Sequence, residues 1–110
     1  MSIDWTNQEK LCITKVLLDI MNADGKIDDG EVQYMEHLRL LIGIPERDIE
    51  TAHNTSVSYS MAILRAMNDV KKIALGLMMA EMIKSDGDSD PREIFVFKSV
   101  HDMIGIPKLS

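Results

Sequence analysis

Ile42-Gly43-Ile44-Pro45 returns 62 positions later as Ile104-Gly105-Ile106-Pro107, and the match runs backwards without a gap, so that Thr6–Pro45 lies on Asn68–Pro107. Self-similarity at a fixed separation marks a duplicated structural unit, and it takes precedence over any local reading. Asp24-Gly25 meets Asp86-Gly87, Asp28 meets Asp90, and Glu31 meets Glu93. Apolar positions agree between these landmarks: Ile13 with Leu75, Leu17 with Met79, Val32 with Ile94, Leu38 with Val100, Leu41 with Met103. The pattern predicts two helix–loop–helix repeats, 6–45 and 68–107, packed about a pseudo-two-fold axis so that each buries the face the other cannot cover alone. Residues 46–67 supply the connecting helices.

The rest of the sequence fits an all-α bundle of six to seven helices in one domain, 1–110. With 110 residues there is room for a single core. Glycine and proline are few, nine methionines join Leu, Ile and Ala at helical spacings, and no segment alternates like a strand. Thr6-Asn7-Gln8-Glu9 reads as a capping box opening a helix to about Asn22, with Ile13, Val16, Leu17, Ile20 and Met21 inward. A second helix starts from Asp28, buries Val32, Met35, Leu38 and Ile42, and ends at Gly43. Pro45 begins a third, reaching about His53, and Asn54–Ser58 reads as the main loop. A fourth carries Tyr59, Ala62, Ile63, Ala66 and Met67 inward. Asn68 caps a fifth whose run from Ile73 to Ile83 is broken only by Gly76 and Glu81; it is too short for a bilayer of about 30 Å and is expected to be buried by protein, with Gly76 marking a close helix crossing. Asp90-Pro91-Arg92-Glu93 opens the last helix with cap, first-turn proline and third-position glutamate, and Gly105 closes it.

Leu17-Leu18-Asp19-Ile20-Met21-Asn22-Ala23-Asp24-Gly25-Lys26-Ile27-Asp28-Asp29-Gly30-Glu31, echoed by Met82-Ile83-Lys84-Ser85-Asp86-Gly87 with Asp90 and Glu93, resembles the tellurite-resistance TerB family. The amino-terminal region of DjlA-type membrane-anchored co-chaperones is similar. The likeness runs from Thr6 to Pro107, and its specificity comes from a short motif occurring twice at the right separation. It implies a bundle of about seven helices, no known catalysis, and a part in bacterial stress responses to tellurite and other insults, as an interaction or metal-associated module. It places Asp24, Asp28, Glu31, Asp86, Asp90 and Glu93 at the family's acidic positions.

Those acids permit two readings. Hard divalent cations such as Ca²⁺ or Mg²⁺ need several convergent oxygens, which makes Asp24, Asp28, Glu31, Asp86, Asp88, Asp90 and Glu93 the candidate metal residues. An EF-hand is rejected: with Gly25 at the invariant glycine, Ile20 and Asn22 fall at the first and third ligand positions, and Met82 and Lys84 do so in the second loop. The second loop, with Asp86, Asp88 and Asp90 alternating and Glu93 one turn on, is the better candidate. The other reading is helix punctuation. Gly25 and Gly87 stop one helix, Asp28 and Asp90 cap the next, and the glutamates complete the boxes, which leaves Asp24 and Asp86 unexplained.

Net charge sets the partner class. Twelve basic against eighteen acidic side chains give −6, which repels nucleic acid and anionic membrane surfaces. The single cysteine, Cys12, excludes an intrachain disulfide and sits in an apolar pattern as a structural thiol, and Met1–Trp5 does not read as a secretion signal, so a cytoplasmic location is expected. His37, His53 and His101 are not spaced for metal on one helix, Met78, Met79 and Met82 read as core, and no nucleophile motif or phosphate loop is present. Trp5 closes over the core or offers a contact. The expectation is a non-catalytic interaction module with an acidic loop face for a protein partner and no certain cofactor; the alternative is a metal-binding or metal-sensing protein.

Overall fold

A computed structural model describes residues 3–23, 25, 29–84 and 90–107. Thr6, in extended conformation, accepts the Glu9 amide at 3.1 Å while the Glu9 carboxylate accepts the Thr6 amide at 2.9 Å, the reciprocal box that starts α1 (Asn7–Met21). Next come α2 (Asp29–Ile42), α3 (Asp48–His53), α4 (Val57–Arg65), α5 (Asp69–Lys84) and α6 (Pro91–Ile104). The described residues are all-helical, with no strand among them.

The doubling is visible in the details. Moved by 62 positions, α2 falls on α6 end for end, and α1 on α5 but for the latter's last residue, Lys84. Gly43 and Gly105 take left-handed backbone, φ 84° and 69°, and at both ends the glycine amide and the following isoleucine amide return to one carbonyl, Arg39 in the first half and His101 in the second. α1 packs on α5 and α6, and α2 packs on α5, as two hairpins facing each other across an axis must. Ile13 and Leu75, Leu17 and Met79, Leu38 and Val100, Ile42 and Ile104, Ile44 and Ile106 are all buried, so equivalent positions share one core. Trp5 and its counterpart Met67 both close that core just outside a helix cap.

Glu9 and Lys71 are themselves equivalent positions, and they meet as an ion pair at 2.7 Å. A residue can touch its own repeat partner only near the axis, so the axis passes between the N-terminal turns of α1 and α5. Burial pushes the Glu9 carboxyl up, but the hydrogen bond from Lys71, the Thr6 amide and the lysine charge together outweigh it and hold the group below its usual range. Lys71 also lies 5.9 Å from the centre of the Trp5 ring, a cation–π contact.

Several local expectations are corrected. Val32 is 47% exposed, leaving Met35, Leu38 and Ile42 as the inward residues of α2 with Glu31 in its first turn. Pro45 opens a turn rather than a helix, and α3 begins at Asp48. The Asn54–Ser58 loop is shorter, because Ser56 caps α4 by accepting the Tyr59 amide at 3.1 Å. α4 is rotated from its expected register: Ser60 and Leu64 are buried while Tyr59, Ala62 and Ala66 are exposed, since the small Ser60 lets the helix approach α1 with its hydroxyl against the Cys12 thiol. Gly76 is crossed by Ile106, from the segment beyond α6, rather than by a helix: a Cβ there would lie 3.4 Å from the Ile106 methyl. α5 is not enclosed all round, for Leu77 is 58% exposed.

Candidate binding site at the acidic helix junctions

Asp90 shows how the sequence builds this region. Its extended backbone ends the loop, Pro91 supplies a fixed φ at the first helical position, and the Asp90 carboxylate accepts the Arg92 amide at 2.7 Å. The Arg92 guanidinium closes on the same carboxylate at 3.2 Å. That hydrogen bond first, then the amides of Arg92 and Glu93, hold the Asp90 carboxyl below its usual range. Asp90 is thus a helix cap reinforced by a local ion pair.

Glu31 and Glu93 are placed differently. Each is the third residue of its helix, α2 or α6, and each is buried, 1% and 0% exposed. Carboxylates leave water only where compensating dipoles or charges receive them, and the first turn of a helix, with its aligned amides, is such a place. Glu9, at the same helical position of α1, is turned toward Lys71 and the Thr6 amide and keeps 12% of its side chain exposed. The third-position glutamates of α2 and α6 are therefore both shielded from water at the foot of each acidic loop.

Asp24, Asp28, Asp86 and Asp88 lie outside the described residues, as does Gly87. Gly25, at φ 75°, follows the α1 terminus, where Asn22 turns its side-chain amide back onto the Leu18 carbonyl at 2.8 Å. The helix therefore ends at Asn22 rather than at Gly25, which lies beyond the cap with its amide donating to the Asn22 carbonyl at 3.1 Å. Among the described residues no three His, Cys, Asp or Glu side chains stand close enough together to hold a metal ion. His37, His53 and His101 sit on α2, α3 and α6, and the His101 ring is tilted by 41° against Phe97 at 5.9 Å. Cys12 is wholly buried, and burial raises its thiol above the usual range, against chemistry at that sulfur. Met79 and Met82 are core.

Sequence reasoning missed a second feature, an apolar groove between the outer faces of α5 and α6 floored by Gly76, Ala80 and Ile106 and walled by Leu77 and Phe97. A signal for it was present, because Leu77 stands where the first half has Lys15, an apolar residue replacing a charged one on an outer face.

The sequence matches no known family and no curated protein. In three dimensions it is similar to a crystal structure of a protein of unknown function from Porphyromonas gingivalis, with a TM-score of 0.81 at 22% identity over 99% of this chain and 91% of the other. That likeness shows a shared fold. No helix among the described residues is long and apolar enough to cross a membrane.

Proposed function

We propose that the protein is a non-catalytic, TerB-like interaction module of a bacterial stress system of the tellurite-resistance type, acting in the cytoplasm and binding a basic protein partner through the aspartates of its two acidic loops. The observation that carries this reading is the burial of Glu31 and Glu93 at equivalent places. With these two shielded from water and Asp90 committed to capping, the charges left for a partner are the loop aspartates Asp24, Asp28, Asp86 and Asp88. Rigid helix ends carry both loops, and a net charge of −6 speeds encounter with a basic surface. The test is titration with an arginine- and lysine-rich peptide. Asp24→Asn with Asp86→Asn is expected to weaken binding by roughly tenfold with no change in melting temperature, and equal binding by the variant would refute the reading.

A second reading rests on the same burial. A buried carboxylate at the foot of each loop is also where a Ca²⁺ or Mg²⁺ ion held by loop aspartates would find a further ligand. Under that reading saturating cation raises the melting temperature over a chelated control.

A further inference from the structure

The first half contains its own template for what the α5/α6 groove holds. Shifted by 62 positions, Gly76, Leu77, Ala80 and Ile106 fall on Thr14, Lys15, Leu18 and Ile44. In the first half that place is taken by α3, which packs chiefly against α1. Ala52 of α3 is completely buried, Ile49 lies beside Leu18, and Lys15 Nζ donates to the His53 carbonyl at the helix end at 3.2 Å. The covering segment is acidic, with Glu46, Asp48 and Glu50 against Arg47, and it meets Lys15 and Arg39, cations that also pair with Asp19 and Glu36 of their own helices; the hydrogen bond from Arg39 to Glu36 first, and the Glu46 charge last, favour the charged guanidinium. Among the described residues of the second half no helix takes that place, and a cavity of about 200 Å³ lies there.

The open groove keeps the character of the covered one. Its floor is apolar and cut deeper, since Gly76 and Ala80 are smaller than Thr14 and Leu18, and it continues along Ile83 and Ile94. Lys84 and Lys98 stand along that continuation, His101 occupies the place of Arg39, and Asp102 is the one acid among the described lining residues. On a chain of net charge −6 a rim of this sign is local and specific. An apolar floor between basic side chains fits an amphipathic helix with an apolar stripe and acidic flanks.

We propose that this groove docks a short acidic helix of a partner protein, seated as α3 is seated on the first half, with a branched aliphatic residue over Ala80 and acids toward Lys84, Lys98 and His101. The proposal does not depend on the function assigned to the acidic loops.

The test uses the ¹⁵N-labelled full chain and a capped synthetic peptide of residues 45–56, which contains α3. Saturable shifts at Gly76, Leu77, Ala80, Lys98 and His101, with a dissociation constant of about 1 mM or tighter, are expected. A peptide with Glu46, Asp48 and Glu50 each changed to lysine should bind roughly tenfold more weakly, as should Leu77→Glu, a substitution at an exposed position whose unchanged melting temperature verifies its fold. Absence of shifts in the groove, equal binding of the charge-reversed peptide, or shifts at Lys15 and Leu18 showing exchange with the chain's own α3 would each overturn the proposal. So would a concentration-dependent dimer that protects the groove, which would make a second copy the occupant.

Discussion

In the first half of the molecule α3 packs on the outer face of the hairpin, with Ala52 wholly buried against α1; in the second half no described helix lies on the equivalent face, and Leu77 is more than half exposed. The two hairpins share helix boundaries, left-handed glycine caps and core positions, so the difference does not come from the hairpin. Among the described residues it lies in the segment that follows Pro45. After Pro45 the chain turns through Glu46 and Arg47 into a helix that returns to its own hairpin. Duplication thus conserves the surfaces that each half needs to bury against the other and leaves the outer surfaces free to diverge.

The inner surfaces should respond alike. Leu17→Ala and Met79→Ala occupy one register position and are both fully buried, so each is expected to cost about 3 kcal/mol in denaturant unfolding, and a cost in one half only would break the equivalence. The outer surfaces should respond oppositely. Ala52→Leu forces a larger side chain between α3 and α1 and should cost about 2 kcal/mol, whereas Ala80→Leu projects toward the open groove and should change stability by less than about 0.5 kcal/mol. Gly43→Ala and Gly105→Ala each place a Cβ on left-handed backbone and should cost about 1 kcal/mol apiece, since neither site adds a steric clash to the backbone strain.

The smallest effect is expected on the axis. Lys71→Met removes the partner of Glu9 and should cost roughly 0.5 kcal/mol at neutral pH, because the pair is partly solvated. The folded Glu9 carboxyl titrates below its ordinary 4.5, so this contribution is fully present above that pH and is lost as the pH falls through the lower folded value. Melting curves of the two proteins should therefore converge in acid, and a gap that persisted or widened there would contradict the assignment.

Much of this architecture is legible in the sequence where local chemistry decides it. The Asp90 cap with Pro91 at the first helical position, the Thr6/Glu9 box and the glycine ends at Gly43 and Gly105 form as expected, because each is settled within one turn of helix. α3 and α4 depart from their expected bounds and register because Pro45 suits a turn as well as a helix start, and because the buried side of α4 is marked by Ser60, which no hydropathy pattern selects. The burial of Glu31 and Glu93 is hidden for the same reason: a third-position glutamate has one sequence signature whether it is exposed, as on a surface helix, or covered. The Glu9–Lys71 pair could have been found, since opposite charges at equivalent positions of a two-fold repeat invite contact on the axis. The groove leaves one trace in the sequence, Leu77 in the place of Lys15, but its shape depends on where α3 packs.

The assignment of the acidic loops to a protein partner rather than an ion is tested most directly by a thermal-shift panel of Ca²⁺, Mg²⁺ and other divalent cations against a chelated reference. Melting temperatures within about 1 °C of that reference are expected for the whole panel. A saturable rise of several degrees with one cation, abolished by Asp24→Asn with Asp86→Asn, would contradict the assignment and make the loops a metal site.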